Sequence, residues 1–231
     1  IFGAMVELNE RGAPVDIVTL TEALRQRGLL QDVGTISSEL FNPADGHFSL
    51  TGDMQIGRYQ HTATLLCDLD GGSCANPKVL VVGGSPESNA AGSAELYDPA
   101  AGTFALTVGR LVTPRVNHTA TLLRSGKVLI LGGTGTGADA SVLAKAELFD
   151  PATGTFSATA SPMTSRRIFH TATLLHDGKV LIVGGVDAGG LPVALAEIYD
   201  PVANTFSTIA SPMTKVRSAH TATLLPSGKV L

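Results

Sequence analysis

The stretch His118-Thr119-Ala120-Thr121-Leu122-Leu123, followed by Lys127-Val128-Leu129-Ile130-Leu131-Gly132-Gly133, decides the fold. His-Thr-Ala-Thr-Leu-Leu also begins at His61, His170 and His220, so the copies stand 57, 52 and 50 residues apart. An Arg stands three residues before each His: Arg58, Arg115, Arg167 and Arg217. Lys-Val-Leu follows at Lys78, Lys127, Lys179 and Lys229, and the first three copies run into Gly83-Gly84, Gly132-Gly133 and Gly184-Gly185. A Glu-(Leu/Ile)-(Phe/Tyr)-(Asp/Asn)-Pro string recurs at Glu39, Glu95, Glu147 and Glu197. Phe48, Phe104, Phe156 and Phe206 close the units. Self-similarity at a period of roughly 50 residues is the signature of a repeat architecture.

Each unit reads as four short strands. His-Thr-Ala-Thr-Leu-Leu alternates β-branched and apolar residues (strand A). Lys-Val-Leu-Ile-Leu-Gly-Gly is a continuous apolar run, the pattern of a strand covered on both faces (strand B). Ala-Glu-Leu-Tyr-Asp-Pro is strand C, and Thr-Phe-Ser-Ala-Thr is strand D. The turns agree. Asp98-Pro99-Ala100-Ala101-Gly102 and Asp150-Pro151-Ala152-Thr153-Gly154 join C to D, Pro presetting φ and Gly taking the left-handed position. Asn204 stands at that last position in the third unit. Ser125-Gly126, Asp177-Gly178 and Ser227-Gly228 supply hairpin chemistry between A and B.

Four antiparallel strands repeating in this way predict propeller blades. The double Gly ending the second strand, then an aromatic, then a second spaced aromatic, closely resembles the kelch repeat. The Glu-x-Tyr-x-Pro variant resembles bacterial kelch units and those of galactose-oxidase-type propellers. The family's units usually end in Trp, and here the residue is Phe. The expected fold is all-β: a partial kelch-type propeller over 35–231. Its complete blades are expected at about 58–108, 115–160 and 167–210, with half-blades at 36–50 and 217–231. Further blades completing a larger ring are expected outside this segment. A four-bladed ring closed by the two half-blades is the alternative.

Residues 1–34 carry none of the repeat. Ile1, Met5 and Leu8 share a helical face, Thr19 and Glu22 fit a capping box, and Gly12 and Gly28 stop the helices. The reading is a short α-helical hairpin. Gly12-Ala13-Pro14-Val15-Asp16-Ile17-Val18-Thr19-Leu20, with Leu24 and Gly28-Leu29-Leu30, resembles the end of the N-terminal domain of DnaB-type replicative helicases. That domain is a helical collar serving hexamer assembly and primase contact. A helicase motor needs Gly-x-x-x-x-Gly-Lys-Ser/Thr to cradle phosphate. The nearest string, Gly132 to Asp139, lacks the Lys and the hydroxyl.

Composition narrows the function. The chain has 16 Lys+Arg against 20 Asp+Glu, a formal charge of −4, which argues against a surface that coats nucleic acid. At 44% hydrophobic and 16% charged it is not disordered by composition. No apolar run reaches the ~18 residues of a membrane span. No catalytic constellation, cofactor site or metal site is expected.

The repeated His61, His118, His170 and His220 are read chiefly as structural. Equivalent positions on neighbouring blades sit too far apart to share one metal, whose ligands lie at ~2.0–2.1 Å. Arg58, Arg115, Arg167 and Arg217 recur with the four Glu, so a buried ion pair within the sheet structure is one reading. The other makes these Arg and His a candidate binding face, an Arg ring at the channel mouth for anionic ligands. Cys67 and Cys74 lie in an expanded first A–B hairpin, where eleven residues separate Leu66 from Lys78 against three elsewhere. A local disulfide is expected for an exported protein, with free thiols as the alternative.

Strand direction puts the D–A and B–C loops on one face and the tight A–B and C–D turns on the other. The B–C loops, 85–94, 134–146 and 186–196, vary most. The expectation is a non-enzymatic scaffold binding a protein or glycan on the D–A/B–C face. One alternative is a helicase-related protein fused to or truncated by a propeller. The other is part of a copper-radical oxidoreductase. An extracellular or periplasmic address goes with the propeller, a cytoplasmic one with the helicase resemblance.

Overall fold

The computed structural model describes residues 38–67, 76–84, 89–137 and 140–231. The helical hairpin read at 1–34 and Cys74 lie outside these residues. The chain divides into two compact units, Ile1–Asp53 and Met54–Leu231. The described part of the first is a hairpin of β1 (Glu39–Asn42) and β2 (His47–Leu50), with Phe41 opposite Phe48. Asn42 Oδ1 accepts from the Ala44 N–H, and Gly46 N–H closes the turn on Asn42 O at φ 73°.

The second unit holds three four-stranded antiparallel meanders. The first is β3 (Thr62–Leu66), β4 (Lys78–Val82), β5 (Ala94–Asp98) and β6 (Thr103–Leu106). Between the first two blades comes the short β7 (Arg115–Val116). The second blade is β8 (Thr119–Leu122), β9 (Val128–Leu131), β11 (Ala146–Asp150) and β12 (Thr155–Ala158). Within its B–C loop, β10 (Thr134–Gly135) pairs back to β7. The third blade is β13 (Thr171–Leu174), β14 (Val180–Val183), β15 (Glu197–Asp200) and β16 (Thr205–Thr208). No α-helix occurs among the described residues, which include a short 3₁₀ turn at Asn89–Gly92.

Period-2 alternation in the B strands builds the core. Val128 and Ile130 face the first blade and pack with Leu80, Val82, Leu111 and Phe149. Leu129 and Leu131 point the other way and pack with Val180, Ile182, Met163 and Tyr199. The core therefore lies between blades, and β9 is buried on both faces. Removing a ring such as that of fully buried Phe149 costs about 3–5 kcal/mol. The paired aromatics of strands C and D lock each blade, with Tyr97–Phe104, Phe149–Phe156 and Tyr199–Phe206 centroids 4.7, 4.9 and 4.9 Å apart.

Two details depart from the sequence reading. Strand A begins at the Thr, with the His outside it. The last A–B pair is reduced to a single bridge, Leu224 with Val230, flanked by reciprocal bonds between Thr223 and Leu231.

Candidate functional site

The D–A connection enters each blade beside the start of strand C, and the recurring Arg and Glu meet there. Arg58 Nη2 lies 2.6 Å from Glu95 Oε1, Arg115 Nη2 2.5 Å from Glu147 Oε1, and Arg167 Nη2 2.6 Å from Glu197 Oε1. All three guanidinium groups are fully buried. Each carboxylate also accepts two backbone N–H groups of the incoming segment. Gln55 and Ile56 serve Glu95, Val112 and Thr113 serve Glu147, and Thr164 and Ser165 serve Glu197. The Arg Nη1 atoms donate to carbonyls at the end of strand B: Gly83, Gly132 and Gly184. Burial lowers the pKa of Arg115 and Arg167, and the attraction of Glu147 and Glu197 opposes it; the group stays charged at any ordinary pH.

This network satisfies buried charges that would otherwise be costly. Arg58, Arg115 and Arg167 are thereby spent on the scaffold, and none presents its guanidinium to solvent. Arg217 differs. It is exposed, its Nε donates to Lys215 O, and it has no carboxylate partner among the described residues. With His220, Met213 and Val230 it lines a cavity of about 260 Å³.

The recurring histidines reach across blade boundaries. His118 Nε2 lies 2.9 Å from Thr62 Oγ1, His170 Nε2 3.0 Å from Thr119 Oγ1, and His220 Nε2 3.2 Å from Thr171 Oγ1. Each ring sits over the first Gly of the preceding blade's pair. A β-carbon on Gly83 would come within 2.7 Å of His118 Cε1, and one on Gly132 within 2.6 Å of His170 Cε1. The second Gly donates its N–H to the next blade's Arg carbonyl: Gly84 to Arg115, Gly133 to Arg167 and Gly185 to Arg217. Burial, reinforced by Arg115 and Arg167, drives the His118 and His170 pKa down to about 3. His61 and His220 are lowered too, first by burial and then by Arg58 and Arg217. The Nδ1 atoms of all four lack a hydrogen-bond partner. These are neutral packing groups. No cluster of three His, Cys, Asp or Glu suited to a metal occurs among the described residues.

One feature of this face was not singled out in the sequence. The residue before each His has a positive φ: Gln60 at 57°, Asn117 at 54°, Phe169 at 55° and Ala219 at 50°. Main-chain bonds link them across blades, Asn117 N–H to Gln60 O and Ala219 N–H to Phe169 O. The one available signal was variability, since Gln, Asn, Phe and Ala alternate beside an invariant His-Thr-Ala-Thr.

Radially arranged meanders clasped by a buried Arg–Glu pair and a double Gly define the class: a partial kelch-type β-propeller. Residues 168–213 match the family model for the Kelch motif. Residues 1–42 match the model for the DnaB-like helicase N terminal domain, running past Gly34, where the sequence reading stopped, into β1. The solved structure titled "Structure of YjhT" is similar in fold, with TM-score 0.62 and 14% identity over 80% of this chain. The chain spans 62% of that structure's length. No curated protein matches the sequence.

Proposed function

We propose that the segment is a non-catalytic propeller scaffold that binds a protein or glycan on the face carrying the D–A and B–C loops. The observation behind this reading is a division of labour. The residues that recur in every complete blade are engaged in the clasp between and within blades, whereas the described parts of the variable loops join it chiefly through main-chain carbonyls such as those of Ser93, Lys145 and Leu195, leaving side chains such as Leu191 exposed. In the third blade Asp187 Oδ1 accepts from Gly189 and Leu191 N–H, an ordered loop tip with Leu191 exposed. Loops on a rigid scaffold are where specificity resides. Further blades outside this segment complete the ring in this proposal, and the Cys67–Cys74 disulfide staples its first A–B hairpin.

Replacing residues 187–191 with Gly-Ser-Gly-Ser-Gly tests the reading. Binding to arrayed glycans and to cross-linked partner proteins is expected to fall while the thermal midpoint holds. Binding indifferent to the replacement, or turnover of a substrate by the intact chain, overturns it. Peptide mapping without reductant tests the disulfide.

A second reading has its own support in the match over residues 1–42. There the N-terminal segment belongs to a replication protein and the propeller is its fused partner. Co-purification with a DnaB-type helicase or primase, lost on deleting residues 1–34, separates the two.

A further inference from the structure

We infer that this chain associates with a second copy of itself. The β1–β2 hairpin of one copy adds as strands C and D beside residues 217–231 of the other, and the two halves make one composite blade. This goes beyond the loop face and holds whatever that face binds. The hairpin β1–β2 repeats the C–D half of a complete blade. Phe41 lies against Phe48 with ring centroids 5.0 Å apart, as Phe149 lies against Phe156 at 4.9 Å. Asn42 Oδ1 accepts the Ala44 N–H as Asp150 Oδ1 accepts that of Ala152, and Gly46 takes the left-handed position held by Gly154. Residues 217–231, from Arg217 and His220 to Lys229-Val230-Leu231, repeat the A–B half.

The two halves are complementary in charge, shape and register. Glu39 matches Glu147 and Glu197, whose carboxylates are buried on an Arg, yet Glu39 is exposed. Arg217 matches Arg115 and Arg167 and is already set as they are. Its Nε donates to the carbonyl two residues back, Lys215 O, as theirs do to Thr113 O and Ser165 O. What it lacks among the described residues is the carboxylate that Glu39 carries. Phe41 matches the fully buried Tyr199, which packs with Leu129, Leu131 and Met163. The corresponding Leu181, Val183 and Met213 instead line the cavity of about 260 Å³ beside Arg217. Phe41, Phe48 and Leu50 stand 54%, 66% and 73% exposed on one face of their hairpin. Phe41 therefore suits the cavity and Glu39 the guanidinium on its wall. The third blade gives the register: Val180 stands opposite Tyr199 and Leu181 opposite Ile198, so Val230 meets Phe41 and Leu231 meets Leu40. Burial of the aromatic face drives such a contact, and the charge pair fixes its alignment. Unlike faces that fit one another on a single chain join copies head to tail. The chain spans 62% of the length of the solved structure it resembles, so its own strands fall short of that fold's full set. A second copy supplies strands already of the right kind.

Sedimentation equilibrium on the full chain is the test, and association that grows with concentration is expected. Glu39→Arg changes an exposed residue, so it should weaken association at least tenfold while the thermal midpoint of the dilute chain holds. Phe41→Ala and Arg217→Ala should weaken it alike. Val202→Asp, at a residue 96% exposed on a C–D turn, should leave it intact. Two copies, one carrying Leu40→Cys and the other Leu231→Cys, are then mixed and oxidised, and peptide mapping should find a 40–231 linkage joining them. A monomer at every concentration overturns the inference, and so does association indifferent to Glu39→Arg and Phe41→Ala. A 40–231 linkage that forms inside a chain carrying both cysteines, and never between copies, also overturns it, because the hairpin then closes on its own chain.

Discussion

His118 of the second blade places its Nε2 2.9 Å from Thr62 Oγ1, the first residue of strand A in the first blade. His170 and His220 repeat the contact one blade further on each time. A side chain that sequence alone could offer as a ligand is thus a rivet between blades, and its burial makes it a source of acid lability.

The pH dependence follows from that burial. In the unfolded chain a histidine takes up a proton near pH 6.5. Folded His118 and His170 resist protonation until about pH 3. Between these values the unfolded state binds more protons, so their stabilisation is complete above pH 6.5 and declines as the pH falls toward 3. Urea midpoints from pH 7.5 to 5 should drop, with two such sites costing on the order of 2–3 kcal/mol per pH unit once the unfolded imidazoles are protonated. His118→Gln should flatten the slope by about one proton. An unchanged slope would remove His118 from the account.

Gly132 carries the reciprocal constraint. A β-carbon there would meet His170 Cε1 at 2.6 Å and Arg167 O at 2.7 Å, on a backbone with φ 64°. Gly132→Ala should destabilise by roughly 2–4 kcal/mol, the conformational cost and the overpacking acting together. Gly126, at φ 79° with nothing within 4 Å, provides the comparison. Gly126→Ala should cost about 1 kcal/mol. Equal losses at the two sites in urea titrations would show that the inter-blade contact contributes nothing.

The Arg115–Glu147 pair should behave as a buried charge pair. Arg115→Met leaves the Glu147 carboxylate buried without its counter-charge and should cost about 3–5 kcal/mol. The Val112 and Thr113 N–H groups still hold Glu147, so Glu147→Gln should be the milder change. Arg217→Ala, at an exposed residue, should stay within about 0.5 kcal/mol. A double-mutant cycle measures the coupling directly.

Asn204 tests the C–D turn. It takes the left-handed position at φ 55°, where Gly102 and Gly154 stand in the other blades. Its Oδ1 accepts from Tyr199 OH at 2.8 Å, in a setting where burial and nearby Asp200 push the phenol up to about 12. Asn204→Ala should lose about 1–2 kcal/mol, the bond and the favourable backbone together. Asn204→Gly should lose less, since it keeps the backbone. Thermal melts separate the two, and equal midpoints would mean the bond is negligible.

The strand order of each blade was legible in local chemistry. The apolar run at Lys127–Leu131 announced a strand covered on both faces, and Asp150-Pro151 with Gly154 announced the turn that pairs Phe149 with Phe156. Period 2 and turn geometry are short-range properties, and a sequence displays them directly. A structural role for His118 and a buried pairing of Arg115 with a Glu were legible as readings, but the sequence could not choose between them and a binding role, nor name the cross-blade partners. A guanidinium ready for an anion and one locked to Glu147 have the same spelling, and so do a metal-binding imidazole and one wedged over Gly83. Their roles depend on distances across blade boundaries, between residues some 30 to 60 positions apart in the chain. The left-handed backbone at Phe169 and Ala219 was equally hidden, because neither residue prefers it. Packing the histidine into the neighbouring blade forces that conformation, and only the assembled sheets exert that force.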